Sequence, residues 1–171
     1  MREYLVVDGY NIIFAWPEFE KLRKTGMNHA RARLVDILVN YAAMSGDHVV
    51  LVFDAHLVKK NVEHVEAAGE SLEIIYTMEG ETADAAIERL VGELLEQGRV
   101  HVATSDWAEQ SMIFGRGAYR ITPGELLDRI NRLRQEARGH CQSSPPTNSY
   151  LENRLVDEVR KAMESWRRKK R

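Results

Sequence analysis

Three short apolar runs in this chain lead into an aspartate, and that recurrence constrains the fold more than any other feature. Tyr4-Leu5-Val6-Val7 runs into Asp8, His48-Val49-Val50-Leu51-Val52-Phe53 into Asp54, and Val100-His101-Val102-Ala103-Thr104 into Ser105-Asp106. Apolar runs of about 4–8 residues bounded by turn signals read as strands buried on both faces, as in a parallel sheet. The aspartates then stand at, or just past, the carboxyl ends of their strands. In open α/β sheets that edge is where ligands bind.

The segments between the runs supply helices. Ile12 to Trp16 leaves the first strand and closes at Pro17; from there to Gly26 charge and apolar residues alternate without firm periodicity. Asn28 is placed to cap a helix whose apolar positions Leu34, Leu38, Tyr41 and Ala42 share one face, with Gly46 ending it. Ala55 to Ser71 has no clean period and reads as a mobile loop with at most one helical turn. Leu72 to Thr77 reads as a third strand. Thr82 is a candidate N-cap for a helix carrying Ile87, Leu90, Val91, Leu94 and Leu95 on one face, and the spacing puts Asp84 on that stripe in the first turn. A short helix is expected over Ala108 to Phe114 and a short strand over Tyr119 to Ile121. Thr122-Pro123-Gly124-Glu125 combines a capping box with proline at the first helical position, so a helix starts there and is expected to run to Arg138.

Strands alternating with helices imply right-handed crossovers and a doubly wound α/β domain with a mostly parallel sheet. The expected organisation is a domain over 1–138, a small-residue, Pro-Pro linker over 139–149, and a C-terminal helix over 150–171. That helix opens on a second capping box, Ser149 to Glu152, carries Trp166 on its apolar stripe and ends in Arg167-Arg168-Lys169-Lys170-Arg171.

A formal charge of −2 and a pI near 6.3 leave no global attraction for nucleic acid, so any basic surface must be local. The single cysteine, Cys141, forms no internal disulfide, which suits a reducing compartment. No apolar segment approaches the roughly 18 residues needed to span a bilayer, and the first strand begins without a charged and apolar leader. A cytoplasmic protein without membrane association is expected.

Four carboxylates converge in this topology: Asp8, Asp54 and Asp106 at strand ends, and Asp84 at a helix N-terminus on the same edge. Packed without counter-ions they would repel, so each must be neutralised by protonation, hydrogen bonding or a cation. A hard divalent ion with oxygen ligands, Mg²⁺ or Mn²⁺, meets that need and could hold a phosphodiester and its attacking water in line. Each acid also has a plainer reading. Asp8 and Asp54 can be turn formers or caps, Asp106 can cap its own helix, and Asp84 can favour a helix dipole. Asn11 can satisfy its own turn or support Asp8 or a substrate phosphate. Glu81 and Glu109 read as surface or as extra ligands, and Trp16 and Trp107 as core or as base-stacking residues. No dinucleotide fingerprint, Walker loop or nucleophile elbow is present, and the six histidines show no zinc spacing.

Val7-Asp8-Gly9-Tyr10-Asn11-Ile12-Ile13, Val52-Phe53-Asp54-Ala55-His56, Glu81-Thr82-Ala83-Asp84 and Ala103-Thr104-Ser105-Asp106 occur in the order and spacing of the NYN-domain ribonucleases, relatives of the PIN domains. The match resembles the bacterial YacP-type branch most, where Asp54-Ala55-His56-Leu57-Val58 and Thr104-Ser105-Asp106 with Glu109-Gln110 also fit. The resemblance covers the chain to about Arg138. It implies a PIN-like three-layer α/β/α fold and a metal-dependent endoribonuclease, with Asp8, Asp84 and Asp106 as metal ligands, Asp54 a fourth acid and Asn11 in support. It implies further that messenger RNA is the substrate and the ribosome a partner.

RNA needs cations for its phosphates. The candidates are Arg129 and Arg132 on the helix after Thr122, the tail residues Arg167, Arg168, Lys169, Lys170 and Arg171, and Lys59, Lys60, Arg116 and Arg120. The plain alternative is a solvated helix face. Two other functions compete with the nuclease. An aspartate-based phosphatase would need an acid two residues after Asp8, where Tyr10 stands. A non-catalytic RNA- or ribosome-binding module would gain nothing from four carboxylates.

Overall fold

The structure is a computed structural model that describes residues 2–54, 64–68, 71–78, 80–105 and 117–143. Its strands are β1 (Arg2–Asp8), β2 (His48–Phe53), β3 (His64–Ala67), β4 (Leu72–Tyr76), β5 (Gly98–Ala103) and β6 (Tyr119–Ile121). Its helices are α1 (Gly9–Ala15), α2 (Phe19–Thr25), α3 (Met27–Ser45), α4 (Ala83–Leu95) and α5 (Pro123–Ser143). The strands form one sheet in the order β3-β4-β2-β1-β5-β6. Five of them run parallel, and β3 pairs antiparallel with β4 at the edge. This is the α/β/α fold expected from the apolar runs.

The two faces of the sheet bury separate cores. Leu5, Val7, Leu51, Phe53 and Ile74 face one side and pack with Ile12, Ile13, Trp16, Leu34, Leu38 and Tyr41 of α1 to α3 and with Leu126 and Ile130 of α5. Val6, Val50, Val52, Ile75, Val100 and Val102 face the other, under Ile87, Leu90 and Val91 of α4. Residues alternate between the two faces along each strand, so burial on both sides requires the unbroken apolar runs seen in the sequence.

The expected caps hold at two helices. Thr82 accepts from the Ala85 amide at 3.2 Å. At α5, Thr122 Oγ1 accepts from the Glu125 amide at 3.2 Å while Glu125 Oε2 accepts from the Thr122 amide at 2.7 Å. That backbone bond, with the Thr122 hydroxyl beside it, holds the Glu125 carboxyl below its usual range.

Several local expectations are corrected. Residues 17–26 contain α2, whose Phe19 is fully buried beside Trp16, with ring centroids 5.9 Å apart. Gly26, not Asn28, precedes α3, and Asn28 lies within that helix. The helix ends as expected at Gly46, whose φ of 76° lies in the left-handed region that glycine enters without strain. The stretch read as a loop over Ala55 to Ser71 contains β3. Helix α5 continues past Arg138 to Ser143, through the first residues expected to be linker.

The chain divides into two compact units, Met1–Arg134 and Gln135–Arg171. The first holds the whole sheet. Of the second, the described part is the end of α5. The helix expected over Ala108 to Phe114, the terminal helix with Trp166, and the basic tail lie outside the described residues. Among the described residues no helix is long and apolar enough to cross a membrane.

Candidate active site

Strand order places the ends of β1 and β5 at the point where the chain reverses direction across the sheet. From β1 the chain steps by α1 to α3 to β2 on one side, then returns under the opposite face by α4 to β5 on the other. A crevice outside the carboxyl ends of strands at such a point is the usual ligand site of an open α/β sheet. Asp8 ends β1 there and is 9% exposed.

Asp8 serves first as a cap. Its Oδ1 accepts from the Asn11 amide at 3.0 Å, which satisfies one open donor of α1 and puts a carboxylate at the favourable end of the helix dipole. The plain reading of this residue is therefore realised, and a capped carboxylate still keeps oxygen lone pairs for a cation. Gly9 follows because nothing larger fits: a Cβ on it would lie 2.3 Å from Cε1 of the buried Phe53. The first turn of α1 thus rests directly on β2.

Asn11 does something neither of its expected roles describes. Its Oδ1 accepts from the Ser105 amide at 3.0 Å and from the Ser105 hydroxyl at 2.9 Å. The side chain ties the start of α1 to the segment leaving β5, the residue immediately before Asp106. The sequence contained no local signal for this contact, since 94 positions separate the partners. A short apolar-to-polar break at both strand ends was the only cue.

Asp54 follows β2, two residues beyond Val52, the register partner of Asp8, and is partly exposed. Asp84 lies in the first turn of α4 and is exposed, while Ala83, Ala86, Ile87 and Leu90 are buried. Its expected place on the sheet-facing stripe is corrected: it stands beside the stripe, at the rim. Glu81 is the reverse case. Its side chain is 19% exposed, Oε1 lies 3.6 Å from Arg89 Nη2, and Oε2 is buried without a hydrogen-bond partner. A surface glutamate was the plainer expectation, and burial corrects it.

The donor set is all oxygen and anionic, the chemistry that suits Mg²⁺ or Mn²⁺ rather than zinc or copper. Glu81, just before α4, has its Oε1 paired with Arg89 while its Oε2 has no hydrogen-bond partner. Among the described residues no three carboxylates or histidines gather closely enough to hold one ion. Asp106, with Trp107, Glu109 and His56, lies outside the described residues.

The basic candidates lie elsewhere. Arg129 Nη2 bonds Asp47 Oδ2 at 3.2 Å, with its guanidinium 5.8 Å from the centre of the Tyr41 ring. Asp47 is 6% exposed and also accepts from Tyr41 Oη at 2.5 Å. Burial, aided by that bond, pushes the Tyr41 hydroxyl well above its usual range. Asp47 precedes β2, so this cluster stands at the amino edge of the sheet, and Arg129 has a structural partner there. Arg132 and Arg129 line a groove of about 490 Å³ with His101, Tyr119 and Arg120. Trp16 is core: it is 2% exposed and its Nε1 donates to the Pro123 carbonyl at 2.8 Å. Lys59, Lys60, Arg116 and the tail Arg167, Arg168, Lys169, Lys170 and Arg171 lie outside the described residues.

The structure thus combines a mostly parallel α/β/α sheet, acids at its carboxyl edge and a side-chain tether between the neighbouring ends of β1 and β5. The family model described as the YacP-like NYN domain matches residues 5–168. The chain belongs to the YacP-like NYN-domain family, a PIN-like nuclease family. A Bacillus subtilis (strain 168) protein described as uncharacterized protein YacP is 37% identical over 171 residues, 97% of each chain. The crystal structure of Rae1 (YacP) from Bacillus subtilis is similar with a TM-score of 0.71 and 37% identity, covering 96% of this chain and 94% of that one. A tryptophan-to-leucine mutant of Rae1 is similar with a TM-score of 0.70 and 35% identity, over 87% and 89% of the two chains.

Proposed function

We propose that the protein is a metal-dependent endoribonuclease that hydrolyses phosphodiester bonds of messenger RNA in association with the translating ribosome. The observation that carries this is the bridge from Asn11 to Ser105, which fixes the end of β5 against the capped turn of Asp8. The strand end that leads to Asp106 is thereby held against the turn of Asp8, the kind of placement that in-line hydrolysis requires.

Asp8, Asp84 and Asp106 would hold Mg²⁺ or Mn²⁺, with Asp54 a fourth acid. Bound there, the metal would supply an activated water and charge stabilisation for the phosphoryl oxygens. The residues of the chain do the rest. The Asp8 carboxylate is oriented by the Asn11 amide, and Asn11 in turn orients the backbone that leads to Asp106. Hydrolysis in line leaves 5′-phosphate and 3′-hydroxyl ends. Arg132 and the basic tail from Arg167 to Lys170 are the candidate contacts to RNA beyond the site, and Arg129 contributes its exposed portion.

Cleavage of a labelled messenger RNA by wild type and by Asp84→Asn, with Mg²⁺, Mn²⁺ or EDTA, tests the reading, first on naked RNA and then in a translating extract. Metal-dependent cleavage lost in the variant is expected, and its restriction to the translating sample would identify the ribosome as the partner. Equal behaviour of wild type and variant under every condition would refute it in favour of a non-catalytic binding module.

A further inference from the structure

The same edge carries a cation that none of the roles above uses. Arg31 lies in the second turn of α3 and is half-buried. Its Nη1 donates to Tyr10 Oη at 3.2 Å and its Nη2 donates to Asn28 Oδ1. Both acceptors are neutral, and among the described residues no carboxylate pairs with this guanidinium. A partly buried charge without a counter-ion is costly, and a fork of parallel N–H donors fits a phosphate better than it fits water.

Tyr10 places this cation beside the acids. It stands two residues past Asp8, and its ring lies 5.1 Å from that of Phe53, which stacks at 5.7 Å on Tyr76. Asp54 follows Phe53 directly. Because Tyr10 Oη accepts from Arg31, its own O–H is turned elsewhere. Arginine has five N–H donors and no acceptor, and the contacts seen here leave further donors over. The pair therefore offers an O–H and spare N–H donors, which is what an anionic oxygen needs.

We propose that Arg31 and Tyr10 together grip a backbone phosphate of the RNA strand on the β2 side of the cleavage site. The proposal rests on the nuclease reading for its substrate but not for its test. Anchoring a phosphate next to the scissile one fixes the strand's register across the acids, so Arg31 and Tyr10 are strand-binding residues and take no part in proton transfer. The sequence hid them, because an arginine between Ala30 and Ala32, with His29 and Arg33 beyond, reads as solvated helix surface.

The test is a binding cycle on full-length protein carrying Asp84→Asn, in EDTA, with a fluorescent single-stranded RNA. Each phosphate is replaced in turn by a neutral methylphosphonate. With Arg31 present, one linkage is expected to weaken binding about 10-fold when neutralised, the usual scale for a charge-assisted hydrogen bond. Arg31→Gln is expected to lose about the same factor, to be indifferent to that one linkage, and to reduce the salt slope of binding by about 0.7. Arg31→Lys should keep the salt slope while recovering only part of the affinity, and Tyr10→Phe should couple to the same linkage. Thermal midpoints confirm that each variant is folded. Additive losses at every linkage with an unchanged salt slope, or no RNA binding by the Arg31 protein, would overturn the proposal. Cleavage by wild type with an additive cycle removes the grip and leaves the nuclease, whereas a coupled cycle without cleavage removes the nuclease and leaves the grip.

Discussion

Replacing Asn11 by alanine should damage chemistry far more than stability, and both sizes follow from the geometry. The substitution deletes two hydrogen bonds, to the Ser105 amide at 3.0 Å and to its hydroxyl at 2.9 Å. Each is worth about 1 kcal/mol net, and Ser105 is exposed, so water replaces part of the loss; a cost of about 1–2 kcal/mol is expected. For a chain of this size that lowers Tm by roughly 2–8 °C. The Asn11 amide still caps onto Asp8, since alanine keeps its backbone N–H. What is lost is the placement of the backbone before Asp106, and a displacement of about 1 Å at a reacting centre costs on the order of 10²-fold in rate. The assay pairs thermal unfolding with single-turnover RNA cleavage at a temperature where both proteins are folded. Ser105→Ala supplies the control. It removes only the hydroxyl bond, about 0.5–1 kcal/mol, and should cost almost nothing more once Asn11 is alanine. Fully additive losses from the two substitutions, or cleavage by Asn11→Ala at the wild-type rate, would refute the tether.

Two further outcomes are expected. Gly9→Ala forces a Cβ to within 2.3 Å of the Phe53 ring, an overpacking cost of about 1–3 kcal/mol in urea unfolding; Phe53→Leu in the same chain should relieve part of it, and an unrelieved loss would point to the backbone instead. Tyr41 has its hydroxyl pKa raised in the fold, so its contribution to stability is full below the unfolded pKa of about 10 and is lost as pH rises above it. Tyr41→Phe should flatten that alkaline slope while costing about 1.5–3 kcal/mol at neutral pH through the lost bond to Asp47; an unchanged slope would contradict the assignment.

Much of the molecule was legible in its sequence because a parallel sheet covered on both faces leaves its strands no polar option. β1, β2, β4 and β5 therefore announce themselves as apolar runs, and in the sequence aspartates stand at or just past the ends of β1, β2 and β5. The capping box at Thr122, the Thr82 cap and the stripe of α4 are local chemistry and read equally well. β3 was hidden because an edge strand of four residues pairs on one side only and needs no apolar run. α2 was hidden because its face presents only Phe19, fully buried, and Leu22, partly buried, to the core, too few positions to show a period.

What the chain's own order determined is thus which segments are buried and where acids interrupt them. What only the tertiary structure decided is which side chains meet: Asn11 with Ser105, Arg31 with Tyr10, Arg129 with Asp47, and Glu81 withdrawn from solvent. Burial is a property of a segment and leaves a periodic trace in its residues. A hydrogen bond between positions on separate elements leaves none, because the crossover that brings them together is set by the packing of the whole sheet.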